Sequence, residues 1–271
     1  MRYSRIPSFT HSAAKRMVLI AAAFFIAAAG CGDRHADGRG YLLGMHTFAQ
    51  SDDEGLQLLA SMPSLASRGI NAIIVQVDYY FAWNSHDELR TQDALSLETA
   101  REISRKGREL GIRIIPHIEC LGHQSYDEAN SLLLEKHPDF DETPGKYPGN
   151  VFENGGILYR SWCPLNPDVS ALVFDLADQL IDAFEADAFS VGMDEVVLIG
   201  SEHCSRCRGK DPAELFAKAV NDLHEHLVTE KGVEMFMWGD RLLDADSPDT
   251  GYGEWESSRN GTAGAIDLIP N

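Results

Sequence analysis

Apolar positions along the chain follow two alternating periods, and this alternation predicts repeated strand–helix units. Short apolar runs that suit buried parallel strands occupy residues 41–48, 71–78, 112–119, 188–193 and 233–238. Segments with helical spacing occupy residues 52–68, 96–110, 125–136, 168–186 and 211–231, and glycines close several of them. A Pro- and Gly-rich loop is expected over residues 138–163.

Strands that alternate with helices, without a signal for an antiparallel hairpin, imply an α/β fold. The choices are a β/α barrel and an open doubly wound sheet. No Gly-rich phosphate-binding sequence follows the first strand, which argues against a nucleotide-binding open sheet. Polar residues instead collect just past the C-terminal ends of the strands, at His46, Asp78, 117–123, 194–195 and 238–240. We therefore predict a parallel (β/α)8-type TIM barrel for the domain at residues 41–271.

The number of units bears on how complete this barrel is. A full barrel has eight units and typically about 250 residues. The chain shows five clear units, and residues 265–271 come where a sixth strand should begin. We expect a partial barrel of five to six units, incomplete at its C-terminal side, with strand edges left open.

The N-terminal residues have the pattern of an export signal. Basic residues precede an uncharged apolar run at 17–29, which is shorter than the roughly 20 residues of a membrane span. The run ends in small residues and Cys31. We predict a bacterial lipoprotein signal at residues 1–31, lipidated at Cys31, and a flexible tether at 32–40. The alternative is an ordinary secretory signal with an incidental Cys31; either way we expect an exported protein of the cell envelope.

The charge balance excludes one class of partner. The chain has 23 Lys and Arg against 42 Asp and Glu, a formal net charge of −19, and no basic stripe. Such a field repels polyphosphates, so nucleic acid binding is not expected.

The cysteines other than Cys31 leave alternatives open. Cys204 and Cys207, preceded by His203, fit a thiol pair, a disulfide or half of a metal site, and Cys163 is a further ligand candidate. A metal-assisted hydrolase using His203, Cys204 and Cys207 is therefore one reading. We assign no metal and no cofactor to the predicted site.

Three ordered motifs carry a family resemblance. Residues 191–196 (Val-Gly-Met-Asp-Glu-Val), 116–123 (Pro-His-Ile-Glu-Cys-Leu-Gly-His) and 237–240 (Met-Trp-Gly-Asp) resemble the catalytic barrel of glycoside hydrolase family 20, the β-N-acetylhexosaminidases. The resemblance implies removal of terminal N-acetylhexosamine from glycans, with the substrate's acetamido oxygen as nucleophile. It gives Asp194 the task of orienting the acetamido group and Glu195 the roles of general acid and base.

The geometry of a strand sets a condition on this pair. Neighbouring residues of a straight strand face opposite ways. The chain must therefore bend at Asp194 if both carboxyl groups are to enter one site, and Gly192 would help. Two adjacent carboxyls should also push their pKa values apart, which keeps one of them protonated as an acid.

The same resemblance suggests residues that contact the substrate. His123 would contact substrate or tune the acid, Glu119 belongs to the same predicted site, and Trp238 would wall the acetamido pocket. Asp240 would bind sugar hydroxyls or cap the next turn, and Trp255 is a further aromatic candidate.

The chain also departs from the family pattern. Ser190 stands where the family commonly has His, and the first strand lacks the family's sugar-binding Arg. The tyrosine that holds the acetamido oxygen belongs to a later strand. These departures support an alternative, a non-catalytic glycan-binding lipoprotein with a degenerate barrel.

Overall fold

The computed structural model of the chain describes residues 42–126, 129–145, 160–247 and 257–270. The predicted signal with Cys31, the predicted tether at 32–40 and the candidate Trp255 lie outside the described residues.

The described residues form a parallel sheet flanked by helices. The strands are β1 (Gly44–Phe48), β2 (Ala72–Gln76), β3 (Arg113–Cys120), β4 (Ser125–Tyr126), β5 (Ala129–Asn130), β6 (Ala188–Gly192) and β7 (Glu234–Phe236). The α-helices are α1 (Asp52–Ser67), α2 (Leu97–Leu110), α3 (Leu132–Lys136), α4 (Pro167–Phe184) and α5 (Pro212–His224). Short 3₁₀ helices occupy Asp87–Leu89, Pro138–Phe140, Asp240–Leu242 and Thr262–Asp267.

Local sequence explains where the main helices begin and end. Ser96 caps α2 by accepting a hydrogen bond from the Thr99 N–H, and Gly111 ends that helix at φ +70°. The side chains of Asn166 and Asp211 cap α4 and α5, and each of these helices has proline at its first position, where no N–H is needed.

The main sheet has the order β1-β2-β3-β6-β7, and every neighbouring pair is parallel. A helix follows or precedes each strand along the chain, and α2 and α4 both pack against β3. Strand β6 is buried along its whole length, as expected for a strand covered on both faces. This arrangement of consecutive strand–helix units is that of a β/α barrel, and it confirms the predicted fold class. Within the described ranges, no helix combines the length and apolar character needed to cross a bilayer.

The helix predicted over residues 125–136 is wrong in its first half. Residues 125–126 and 129–130 pair as a small antiparallel hairpin, a feature that the sequence analysis did not anticipate. The Ser131 N–H donates to the Gln124 carbonyl at 2.7 Å, which closes the hairpin. The Ser131 hydroxyl then accepts from the Leu134 N–H, so the helix begins only at Leu132.

Two further boundaries differ from the prediction. The last long helix was predicted to reach Lys231, but α5 ends at His224 and continues as a π-helix over Glu225–Glu230. A sixth strand was expected to begin near residue 265; there the chain forms the 3₁₀ helix Thr262–Asp267, which packs against α5.

Candidate active site

The backbone bends sharply where β6 ends. Gly192 has φ +64°, Met193 φ +70° and Glu195 φ +47°, so three of four consecutive residues lie in the left-handed region. Only glycine adopts this region without steric cost, and Met193 and Glu195 are held there by their surroundings. The bend that the sequence required at the acid pair is therefore present.

The bend brings both carboxyl groups to one histidine. His123 Nε2 lies 3.2 Å from Asp194 Oδ2 and 3.3 Å from Glu195 Oε2. The side chains of His123 and Glu195 are 12% and 15% exposed, while that of Asp194 is 31% exposed. The three side chains thus share one partly covered site at the C-terminal ends of β3 and β6.

The loop that carries His123 is held by Gln124, a residue that the sequence analysis did not single out. Its amide donates to the carbonyls of Glu119 at 2.9 Å and Gly122 at 2.7 Å, and its Oε1 accepts from the Tyr79 hydroxyl at 2.8 Å. A Cβ on Gly122 would lie 2.9 Å from the Asp194 carbonyl oxygen. The two loops therefore touch backbone to backbone, which holds His123 against the acid pair.

Glu119 lies beneath the bend. Its Oε1 accepts from the Met193 N–H at 2.8 Å and its Oε2 lies 3.2 Å from His117 Nε2. Its side chain is 6% exposed, and a Cβ on Gly192 would come within 2.3 Å of its carboxylate. Both oxygens have partners within the protein, so the structure shows Glu119 anchoring the bend. The predicted contact of Glu119 with substrate stays a prediction, without support from this geometry.

A buried polar network continues below Glu119. Asp78 Oδ1 accepts from the Glu119 N–H at 3.0 Å, and Gln50 and Gln76 both donate to Asp78. His117 lies opposite Ser190 in the pairing of β3 with β6, and its Nδ1 is 2.9 Å from the Ser190 hydroxyl. An imidazole from the neighbouring strand thus lies against the hydroxyl of Ser190.

The ends of β1 and β7 complete the site. The backbone N–H of Trp238 donates to the Gly192 carbonyl at 2.9 Å, and the Trp238 ring packs edge-on against the His46 ring with the ring centroids 6.1 Å apart. Asp240 Oδ2 accepts from the Glu195 N–H at 2.9 Å. Asp240 therefore fixes the backbone of Glu195, a contact that the sequence did not reveal. Trp238 lies beside the bend, and its predicted role as a wall of the acetamido pocket stays a prediction.

The site pairs a positively charged histidine with a negatively charged aspartate. Burial by itself would lower the pKa of His123, but the hydrogen bond to Asp194 and the charges of Glu119, Asp194 and Glu195 raise it to about 9. Burial likewise opposes the charge of Asp194, yet the hydrogen bond and charge of His123 bring the pKa of Asp194 below its ordinary value. Near neutral pH, Asp194 is an anion held by a cationic imidazole.

The pKa values of other ionisable groups nearby are shifted in the direction that favours their neutral forms. Burial, with the charge of Asp194 beside it, raises the pKa of Glu119 well above its ordinary value. Burial also lowers the pKa of His117 and raises that of Asp240. Burial and the neighbouring His117 lower the pKa of His46 to about 4.

We expect two histidines of this site to titrate at widely separated pH values. By NMR, the His123 ring should lose its proton near pH 9 and the His46 ring should gain one only near pH 4. Because the pKa of His123 is raised on folding, its contribution to stability is full below about pH 6.5 and disappears as pH rises through 9. Two rings titrating together near pH 6.5 would contradict this arrangement.

The structure brings together most of the residues predicted for the site. His123, Asp194 and Glu195 meet directly, and Glu119, Trp238 and Asp240 surround the bend. Within the described ranges, the group of side chains suited to a metal ion lies where the segment before α4 meets the loop after β6, at Glu142, Cys163, Cys204 and Cys207.

Comparison with known proteins identifies the same family that the motifs resembled. Residues 50–266 match the model of glycosyl hydrolase family 20, catalytic domain. A comparison with curated proteins found no match.

Solved structures with a similar fold include members of the same family. A chitobiase from Flavobacterium johnsoniae is 20% identical to this chain with a TM-score of 0.58, and the match covers 73% of this chain and 31% of the chitobiase. An exo-β-N-acetylglucosaminidase from Vibrio harveyi is 17% identical with a TM-score of 0.55, and the match covers 72% of this chain and 35% of that enzyme. A β-N-acetylhexosaminidase from Bacteroides fragilis is 14% identical with a TM-score of 0.54, and the match covers 72% of this chain and 41% of that enzyme.

The chain thus spans less than half the length of these solved proteins. At these identities the likeness shows a shared fold, and the family assignment rests on the match over residues 50–266. The chain belongs to glycosyl hydrolase family 20, and its residues 50–266 match the catalytic domain of that family.

Proposed function

We propose that the chain carries the acid machinery of a glycoside hydrolase that removes terminal N-acetylhexosamine residues from glycans with retention of configuration. The observation that carries the proposal is the convergence of Asp194 and Glu195 on His123 Nε2 at the end of β6. A second support is the family to which the chain belongs.

In the first step, the substrate's acetamido oxygen attacks the anomeric carbon as the glycosidic bond breaks. Glu195 donates its proton to the departing oxygen. Asp194, kept ionised by His123, accepts a hydrogen bond from the acetamido N–H and stabilises the positive charge of the oxazolinium ring.

In the second step, water attacks the anomeric carbon and the bond to the acetamido oxygen breaks. Glu195 takes the proton of that water and returns to its starting state. Trp238, half-buried beside the bend, offers an aromatic face for the acetamido methyl group.

We further propose that the protein is exported and lipid-anchored through Cys31, which would bring the site to glycans of the cell envelope.

The direct experiment is hydrolysis by the full chain of an aryl N-acetyl-β-glucosaminide and of the matched aryl β-glucoside. We expect turnover of the first and none of the second, since the glucoside has no acetamido nucleophile. Calorimetry with N-acetylglucosamine oligosaccharides runs beside the assay. Binding without hydrolysis would favour the non-catalytic alternative, and equal turnover of both substrates would contradict the substrate-assisted step.

A further inference from the structure

A second cluster of reactive side chains lies outside the acid site. The side chains of Glu142, Cys163, Cys204 and Cys207 are all buried, and one donor atom from each lies within 4.8 Å of the others. The sulfur of Cys163 is 3.2 Å from that of Cys207 and 3.5 Å from that of Cys204. Neither the loop before α4 nor the loop after β6 holds this cluster alone; it forms where they meet.

We propose that these four residues bind one Zn²⁺ ion that fixes the loops of the acid site. Three thiolates and one carboxylate are ligands that zinc accepts in tetrahedral geometry. Zinc–sulfur bonds of about 2.3 Å put neighbouring sulfurs of a tetrahedron about 3.8 Å apart, so the two observed sulfur–sulfur distances of 3.2 Å and 3.5 Å need to lengthen by roughly 0.3 to 0.6 Å. Binding displaces the thiol protons and changes no oxidation state.

Backbone groups already point toward the ligand atoms. The Cys207 N–H donates to the Cys204 sulfur at 3.3 Å, and the N–H groups of Arg206 and Leu165 point to the sulfurs of Cys204 and Cys163. The Ser201 N–H donates to Glu142 Oε1 at 2.8 Å. Such N–H donors stabilise charge on metal-bound thiolates and carboxylates and orient them.

The carboxylate argues for a metal over a simple thiol pair. Among the described residues, Oε2 of Glu142 is buried without a hydrogen bond of normal geometry, and the thiols of Cys204 and Cys207 lie beside the carboxylate. A disulfide would join two sulfurs at about 2.0 Å and leave the third thiol and this oxygen buried together. A zinc ion satisfies all four donors at once.

The donor set also indicates a structural ion. Four protein ligands leave no open coordination position, whereas a catalytic zinc keeps one for water. His203 lies outside the cluster; its Nε2 is 3.4 Å from Glu202. This geometry contradicts the metal-assisted hydrolase reading that joined His203 to Cys204 and Cys207.

The position of the cluster gives the ion its role. Cys204 and Cys207 lie on the loop that begins with the acid pair. Cys163 follows Trp162, whose backbone N–H donates at 3.0 Å to the carbonyl of Leu121 in the loop that carries His123. The ion would therefore join the loop after β6, which carries the acid pair, to the segment before α4, which is hydrogen-bonded to the loop that carries His123.

The test is elemental analysis of the full chain, expressed in zinc-containing medium and purified without chelators. We expect one zinc and no iron per chain, and close to none in Cys163→Ser, Cys204→Ser and Cys207→Ser. The matched control is Cys120→Ser, because Cys120 is a buried free thiol outside the cluster, and it should keep one zinc. Chelation should lower the melting temperature of the parent by roughly 5 °C or more and leave the cluster variants unchanged.

Two readouts remain if a serine variant fails to fold. Cobalt exchanged into the parent should show the visible bands of tetrahedral thiolate coordination, and Glu142→Gln should shift those bands. Alkylation after chelation should label the peptides of all three cluster cysteines. A parent without zinc, zinc retained by all three cluster variants, or a disulfide among these peptides would overturn the proposal. None of these readouts depends on glycoside hydrolysis.

Discussion

Glu195→Gln is expected to reduce kcat by about 1,000-fold on an aryl N-acetylhexosaminide with a poor leaving group, because the proton donor is lost. With a dinitrophenyl leaving group, which departs without protonation, the loss should be roughly tenfold. Steady-state kinetics with the two substrates measures this split. A split of this kind separates the loss of an acid from a general loss of structure, which would lower both rates alike.

The matched control for this variant is Glu202→Gln. Glu202 lies on the same loop, but its side chain is 82% exposed, and it should leave both rates unchanged. Circular dichroism and melting temperature of Glu195→Gln should match the parent. If Glu195→Gln hydrolysed the poor substrate within about threefold of the parent rate, its role as the acid would be wrong.

Gly192→Ala is expected to damage both the fold and the site. An L residue at φ +64° costs about 1–2 kcal/mol. The new Cβ would also lie 2.3–2.5 Å from the carboxylate of Glu119, which is itself fixed by the Met193 N–H. We expect a total loss of about 3–5 kcal/mol in the free energy of unfolding, measured with urea. In the protein that still folds, kcat should fall by roughly 100-fold, since the bend aims the acid pair.

Gly111→Ala is the control for backbone strain. Gly111 has φ +70° at the end of α2, and a Cβ there would meet nothing within 4 Å. It should cost only about 1–2 kcal/mol and leave kcat unchanged. Equal stability losses in the two variants, with kcat retained in Gly192→Ala, would show that Glu119 does not hold the bend.

Much of the architecture follows from local patterns. The period of apolar positions, with caps such as Ser96 and Gly111, placed the five parallel strands and the main helices within a few residues. The acid pair implied a bend because a straight strand cannot aim two adjacent side chains at one site. The structure confirms that bend, and adds that Met193 and Glu195 adopt positive φ as well as Gly192.

Contacts between distant parts of the chain could not be predicted in this way. The family resemblance places Glu119 among the substrate ligands, and that role stays a prediction. The contacts of its oxygens with Met193 and His117 could not be predicted, because they depend on β3 and β6 being neighbours. The role of Asp240 at the Glu195 N–H likewise depends on how the loop after β7 folds back. The spacing of apolar residues along the chain does not predict contacts between side chains of distant segments.

The cysteine cluster shows the same limit. Cys204 and Cys207 carry a local spacing signal, and Cys163 was a further candidate by its residue type. Glu142 carries no signal, because an acidic residue in a long loop is ordinary in a chain with 42 of them. Only folding of the loop before α4 against the loop after β6 brings the four donors within 4.8 Å.

The proposed mechanism requires the two carboxyl groups to act together on one acetamido group. The most direct measurement is the ratio of kcat for an aryl N-acetyl-β-glucosaminide to kcat for its N-trifluoroacetyl analogue. Fluorine weakens the carbonyl oxygen as a nucleophile and leaves the glycosidic bond in place, so we expect a ratio of roughly 100 or more. A ratio near one, with the N-acetyl substrate turned over, would mean that the sugar does not supply the nucleophile and that Asp194 has another role.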